Sequence, residues 1–565
     1  TGYDFLNQTE ALFCSPEGYA AIEREYRRII RQPIEFPATA RQGKRLVLES
    51  GLWAGVRRLA ERLLKLAGPD RPLAGLSLGA LGRAIVDTIA ALPVYRTYVD
   101  ERRPVPEGHD RRLLEDALAD ARARGRPPAE ALDLLAAALL GEEGPMRAPG
   151  LERLRLRFVQ RFQQLCGPAA AKGVEDTAFY IFTPLLSRNE VGGGPEAPLE
   201  RAVADFHAGN ADRAARFPGA MLAVTTHDTK RSADVRARLD VLTELPEAWA
   251  GHLDLWRRLN LPHKTLVRGR RVPDPNTVQH LCQAIVGLWP GSPPGPGDLD
   301  ALRERLEGYM LKAAREAKTR TSWTDPDPEF EAALSKDVAA LLSPERSPRF
   351  LDDLERFVGR IARPGMWNSV ARAVLHLASP GVPDIYQGDE LWTLALVDPD
   401  NRRAVDYEAR IRALDAVERG FDAAPEERRR FLEHLAAHPE DGLVKLHVIR
   451  AALRARQRHP GVFASTTYLP LEAAGSAAER VVAFARGGGS AAGASLIAAV
   501  ARLQGGNGRG FEAWAGTSLP IPDGWPRSWT CVLSGERVAA DASRSLPVAD
   551  LFGGLPAALL LNDSG

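Results

Sequence analysis

An apolar run from Ala220 to Val224 ends in Thr225, Thr226, His227, Asp228, Thr229, Lys230 and Arg231. A hydrophobic strand that stops at an adjacent imidazole and carboxylate, with two cations behind them, places ligand-binding and charge-carrying groups together. That is the pattern of a site at the C-terminal end of a barrel strand. The plainer reading is that Asp228 caps the helix running on through Asp234 and Arg238.

Three further segments group chemistry-bearing residues. Lys172 to Tyr180 contains Glu175, Asp176, Phe179 and Tyr180 beside Gly173, and Asn189, Glu190 and Val191 lead into Gly192 and Gly193. Charges and aromatics sit there next to glycines that permit close backbone approach, although a capped helix start with solvated charges has the same composition. Ser379 to Leu391 is a proline-rich turn feeding a short strand that ends in Gln387, Gly388, Asp389 and Glu390. It is open to the reading of a mere loop. Val397 to Tyr407 alternates acids and bases and equally fits a surface turn held by ion pairs.

The elements around these segments are mostly helical. Tyr19 to Arg31, Leu113 to Ala123 and Leu151 to Cys166 repeat apolar residues every three or four positions, as amphipathic helices do. A run from Trp289 to Gly297, rich in proline and glycine, interrupts a second helical stretch and must be a loop. Short β-prone runs at Arg480 to Ala485, Ala494 to Val500, Ser528 to Leu533 and Ala557 to Leu561, with turn glycines at Gly487 to Gly489, predict a closing antiparallel β domain.

The 565 residues carry 74 basic and 73 acidic side chains, so no global field draws in nucleic acid or an anionic membrane. Neither partner is expected. At 45% hydrophobic and 26% charged, a chain of this length reads as more than one soluble domain. Cys14, Cys166, Cys282 and Cys531 are too dispersed for a zinc site or disulfide framework. Reduced thiols in a cytoplasmic protein are expected. No run is long enough to cross a bilayer, and no signal sequence is evident.

In order along the chain, Gly2 to Asn7, Lys172 to Tyr180, Asn189 to Gly193, Thr225 to Arg238, Lys318 to Trp323, Pro380 to Leu391 and Val397 to Tyr407 resemble the maltooligosyl trehalose synthases. These are members of the α-amylase superfamily, glycoside hydrolase family 13. The resemblance implies an α/β fold: part of a (β/α)8 TIM barrel with large helical insertions and a C-terminal antiparallel β domain. Residues 1–7 are expected as a barrel strand, 8–217 as a helical insertion and 218–233 as a barrel strand with its catalytic loop. A second helical region covers 234–373, the last barrel strand with following helices 374–443, and the β domain 444–565. Barrel strands are expected at Thr1 to Phe5, Met221 to Thr226 and Asp384 to Tyr386.

The implied activity is (1→4)-α-D-glucan 1-α-D-glucosylmutase. The reducing-end α-1,4 bond of a maltooligosaccharide substrate is opened and remade as an α,α-1,1 bond, with no cofactor and no metal. The chemistry is that of a retaining glycosidase, in a closed, water-poor pocket that keeps the departing glucose from hydrolytic competition. Asp228 resembles the family's third acid, which stabilises the transition state, and His227 the histidine on the same sugar. Lys230 and Arg231 are expected to orient the acid or line subsites, while Tyr3, Glu175, Asp176, Phe179 and Tyr180 are expected to grip the released glucose. Asp389 and Glu390 are weaker substrate-binding candidates.

Against the family pattern, Ile181-Phe182 and Arg188 are departures that touch subsite detail. A larger departure is that the superfamily's nucleophile and acid–base residue precede the Gly-Tyr-Asp-Phe segment, where this chain opens. Two arrangements follow as expectations: a truncated record, or a nicked enzyme whose missing N-terminal segment is a separate partner chain. The 565 residues alone are expected to be inactive. A glucan hydrolase or branching-type transferase on the same scaffold, and a non-catalytic glucan-binding protein, remain alternatives.

Overall fold

The computed structural model describes residues 2–67, 76–141, 149–291, 294–487, 494–505 and 511–562. The turn glycines at 488–489 and part of the Trp289–Gly297 loop lie outside them. The described chain is a helix-rich α/β structure that separates into two units: residues 1–31, 183–312 and 328–565 form the larger, and 32–182 with 313–327 the smaller.

The smaller unit is helical. Helices Phe36–Glu49, Trp53–Leu66, Leu78–Ala91, Gly108–Ala123, Ala129–Leu140 and Pro149–Ala170 bury a shared core that includes Val56, Leu63, Ile85, Leu114, Leu135, Phe158 and Phe162. The Ser77 hydroxyl caps the Leu78–Ala91 helix by accepting from the Ala80 N–H. After Ala170 the backbone widens into a π-helix, Ala171–Ala178. The Phe36–Glu49 helix packs so closely on it that a Cβ at Gly43 would fall 2.1 Å from the Gly173 carbonyl oxygen, which only glycine permits.

The larger unit contains a two-stranded parallel sheet, Met221–Ala223 beside Val382–Asp384, in the register Met221 with Val382 and Ala223 with Asp384. Among the described residues these are its only parallel strands. Residues 2–7, within the segment 1–7 expected as a barrel strand, instead belong to an α-helix, Gly2–Ala11. Its buried positions, Phe5, Leu6, Thr9 and Glu10, recur with helical rather than alternating spacing, and Asp4 sits in the first turn where the helix dipole favours an acid. Within the second helical region lies a hairpin, Thr265–Val267 with Arg270–Val272. Its two-residue turn, Arg268-Gly269, has both φ angles positive, as a tight twisted hairpin requires.

The chain closes in a six-stranded sheet, every neighbouring pair antiparallel, ordered Arg537–Ala539, Ser528–Cys531, Ala557–Asn562, Ser495–Ala501, Val481–Gly487 and Tyr468–Leu471. Strands Val481–Gly487 and Ser495–Ala501 are buried throughout. The region from 444 opens differently from the expectation: helix Leu443–Arg458 precedes the first strand. Its Val448, Ile449 and Ala452 share the core of the sheet, so a helix lying on the sheet opens the segment expected as the β domain.

Candidate functional site

At the C-terminal end of the Met221–Ala223 strand, residues 225–232 form a loop before the Ala233–Asp240 helix. Thr226 and Thr229 lock its first turn: the Thr226 N–H donates to Thr229 Oγ1 at 3.2 Å, and that hydroxyl donates to the Thr226 carbonyl at 2.9 Å. The Thr226 hydroxyl in turn accepts from the Asp228 N–H at 3.1 Å. His227 and Asp228 are exposed, while every residue from Thr229 to Asp240 is buried. The Asp228 carboxylate accepts no hydrogen bond from a described residue. The expected cation pair faces the other way. Arg231 is fully buried and donates to the carbonyls of Leu186 and Asn189 and to the Tyr309 hydroxyl. It is a clamp inside the unit, not a subsite lining. Lys230 is also buried.

The loop is gripped by a carboxylate that the spacing argument did not nominate. Glu190 accepts from the N–H groups of Val191 at 2.8 Å, Lys230 at 2.7 Å and Arg231 at 3.2 Å, and from Arg236 at 3.2 Å. Arg236 also donates to the carbonyls of Arg231 and Val224 and to Glu10. Arg372 joins Glu10 at 3.2 Å to Asp240 at 3.1 Å. Burial opposes ionisation of Glu10, but Arg372 and Arg236 outweigh it and hold that carboxyl below its usual range. Burial, with Glu10 beside it, pushes Asp240 well up. Such a network is costly to break from one side, about 3–5 kcal/mol for a buried partner removed.

Three other motifs surround this loop. The Tyr3 hydroxyl lies 3.3 Å from Thr226 Oγ1, and Asn7 donates to the Tyr3 and Val191 carbonyls. Asn401 donates to the His227 carbonyl at 3.0 Å, and Tyr386 donates to the Asn401 carbonyl. Ser232 is stitched to residues 393–395, and Asp400 is held by Arg305 at 2.8 Å. Asp389 is buried; burial pushes its carboxyl up to about 6, with Lys445 opposing and Asp234 adding to the rise. Glu390 pairs with Arg410 at 3.2 Å. Neither acid is presented as an open ligand group.

In the smaller unit, the motif residues form a second cluster. Glu175 is buried and takes a short hydrogen bond from the Tyr95 hydroxyl. Asp176 pairs with Lys172 at 2.6 Å. Lys318 donates to the Asp176 carbonyl at 3.0 Å and the Thr177 hydroxyl at 2.9 Å. Phe179 stacks on Phe36 with centroids 5.8 Å apart and is buried, as is Tyr180. These two rings are core, not the sugar platform expected of them. The exposed aromatic faces here are Tyr95 and Trp323, the latter 54% exposed with Arg315 over its ring. Among the described residues no group of three or more acids, histidines or cysteines is arranged to hold a metal ion.

No family model matches the chain. Along its whole length it is 35% identical, over 569 aligned residues, to a Mycobacterium tuberculosis protein provisionally named a maltooligosyl trehalose synthase. The solved maltooligosyltrehalose synthase of Arthrobacter ramosus matches all of the chain at 35% identity with a TM-score of 0.78. The chain is similar to both proteins along its whole length. It spans 63% of the length of both proteins. A further maltooligosyl trehalose synthase crystal structure, at 22% identity over 99% of this chain and 62% of its own, has a TM-score of 0.70 and shows the shared fold.

Against these relatives, the placement of the expected residues divides cleanly. Tyr3, His227 and Asp228 stand at the end of the parallel pair within the larger unit. Lys230, Arg231 and Asp389 lie buried behind them, and Glu190, Arg236 and Asn401 are the residues missed. The Asn189-Glu190-Val191 motif was a signal for Glu190, but its partners are backbone amides, which leave no trace in side-chain spacing.

Proposed function

We propose that the protein carrying this chain is a maltooligosyl trehalose synthase of the α-amylase superfamily, an isomerase of trehalose formation. It converts the reducing-end α-1,4 linkage of maltooligosaccharides to an α,α-1,1 linkage by retaining intramolecular transfer. The observation that carries this reading is the exposed His227–Asp228 pair on a loop that the fully buried Glu190 and Arg236 hold from behind. Asp228, with no hydrogen-bonded partner to satisfy it, has its charge available to an oxocarbenium-like transition state, and His227 to a sugar hydroxyl beside it. Lys230 shapes the loop from behind, and Tyr3 fixes Thr226.

The remaining two carboxylates of a retaining mechanism are proposed to come from other parts of the protein, on further parallel strands beside Met221–Ala223 and Val382–Asp384. A two-stranded parallel pair does not stand alone, and the TIM-barrel reading supplies its neighbours. Glu175 and Asp176 are proposed as polar contacts of the smaller unit for sugar hydroxyls. A cytoplasmic location fits four buried cysteines without a disulfide; no described helix is long and apolar enough to cross a membrane.

The open exposure of His227 and Asp228 favours a second reading, a glucan hydrolase, since water reaches that pair freely. Incubating the full-length protein with maltopentaose separates the readings. Reducing ends fall without release of free glucose if the protein is a mutase, and rise if it is a hydrolase. Binding of maltopentaose with no change in reducing ends assigns a glucan-binding protein.

A further inference from the structure

We propose that Glu190 is the positioning residue that sets His227 and Asp228 against their ligand. This inference rests on the function proposed above and assigns a role to a residue that the motif arguments left without one. Its carboxylate is completely buried and meets four donors, two of them the N–H groups of Lys230 and Arg231, immediately beyond the exposed pair. Its guanidinium partner, Arg236, takes the Val224 carbonyl on the near side of the loop and the Arg231 carbonyl on the far side. One carboxylate and one guanidinium therefore hold both ends of residues 225–231. Between those ends, the Thr226 hydroxyl and the Asn401 amide are the side-chain groups among the described residues that fix the backbone of the pair.

Two acceptor oxygens are what allow this, each taking two of the four donors. An ionised carboxylate accepts on both oxygens, whereas glutamine of the same shape accepts on one and turns an N–H2 group toward donors. At a site with four donors, Glu190→Gln leaves N–H groups unpaired in a buried position, two of them the loop's own Lys230 and Arg231 amides. Reacting groups displaced by about 1 Å lose as much as 100-fold in rate.

The test uses the full-length protein and two readouts. In Glu190→Gln, kcat per folded molecule on maltopentaose falls at least about 30-fold while KM stays within about threefold. Asp353→Asn, which removes a buried acceptor of His252 and Trp256 remote from the loop, lowers the melting temperature but leaves kcat per folded molecule within about twofold. The second readout is amide hydrogen exchange, which needs no turnover. In the unmodified protein the Lys230 and Arg231 amides exchange slowly although they adjoin exposed His227 and Asp228, and in Glu190→Gln that protection is lost while helix 348–378 keeps its own.

Fast exchange at Lys230 and Arg231 in the unmodified protein overturns the proposal even if the variant does not fold. So does Glu190→Gln with wild-type kcat per folded molecule, or a loss of kcat that Asp353→Asn matches at equal stability. If the unmodified protein leaves reducing ends untouched, the isomerase reading falls, and the exchange data alone decide whether Glu190 holds the loop.

Discussion

The two motif clusters of this chain are built from the same residue types and end in opposite states. In the larger unit, acids and arginines are consumed in holding a backbone loop, so that one carboxylate and one imidazole are left at the surface without a task in the fold. In the smaller unit, the charges of residues 172–180 pair with one another or with Tyr95, and the aromatics turn into the core. Charged and aromatic residues crowded together in sequence mark a built place. Only the pattern of partners distinguishes a group offered to a ligand from one spent on stability.

The sharpest way to break that contrast is to neutralise the group that has no structural task. Asp228→Asn in the full-length protein is expected to reduce kcat by about 10³-fold, equivalent to about 4 kcal/mol of transition-state stabilisation. Its melting temperature should stay within about 1 °C of wild type, because the carboxylate has no bonded partner to lose. A variant that keeps near-normal turnover, or that unfolds, would place Asp228 with the structural residues. Steady-state kinetics alongside a thermal melt reads both arms.

The smaller unit offers the converse. Phe179→Ala removes a buried ring stacked on Phe36 and is expected to cost about 3 kcal/mol of stability, as large-to-small core substitutions do. Trp323→Ala, at an exposed ring, should change stability by no more than about 0.5 kcal/mol. Denaturant titration of both variants measures the difference directly. If Phe179→Ala is neutral to stability, the ring is not core, and the reading of Phe179 as spent on stability fails.

How far these roles were readable before any coordinates existed depends on what kind of partner each residue has. The strand ending at Ala223 follows from an apolar run that stops at polar residues, and the closing strands around 481–487, 495–501 and 557–562 follow from β-prone runs between turns; the exposure of His227 and Asp228 does not, since a closed, water-poor pocket is expected there. The Gly2–Ala11 helix does not: Tyr3 and Phe5 alternate with polar neighbours over too few residues to separate a period of two from one of 3.6. Phe179 and Tyr180 carry the same types whether they face a ligand or a core. Glu190 was hidden because its partners are amides 40 and 41 positions along the chain, and an amide looks the same at every residue. Arg231 was misplaced because a guanidinium that clamps carbonyls has the same sequence signature as one that clamps a sugar.

The smallest expected effect tests whether Asp389 belongs with the spent acids. Burial raises its carboxyl to about 6, against about 3.9 when unfolded. Below pH 4 both states hold the proton and the residue contributes no pH dependence. Between about pH 4 and 6 the folded state keeps a proton that the unfolded state releases, so this group lowers stability as pH rises through that window. Buried His207, His376 and His447, each pushed down to about 4 by burial, act in the opposite sense. The raw curve therefore mixes both trends, and the difference between Asp389→Asn and wild type isolates the one residue. That difference should be absent at pH 4 and grow to a melting-temperature gain of about 1–3 °C by pH 6.5, with turnover retained. A variant that is instead less stable at pH 6.5 than wild type would mean that the ionised carboxylate is paired with Lys445 strongly enough to outweigh its burial, and Asp389 would move from a tolerated cost to a working strut of the loop after Asp384.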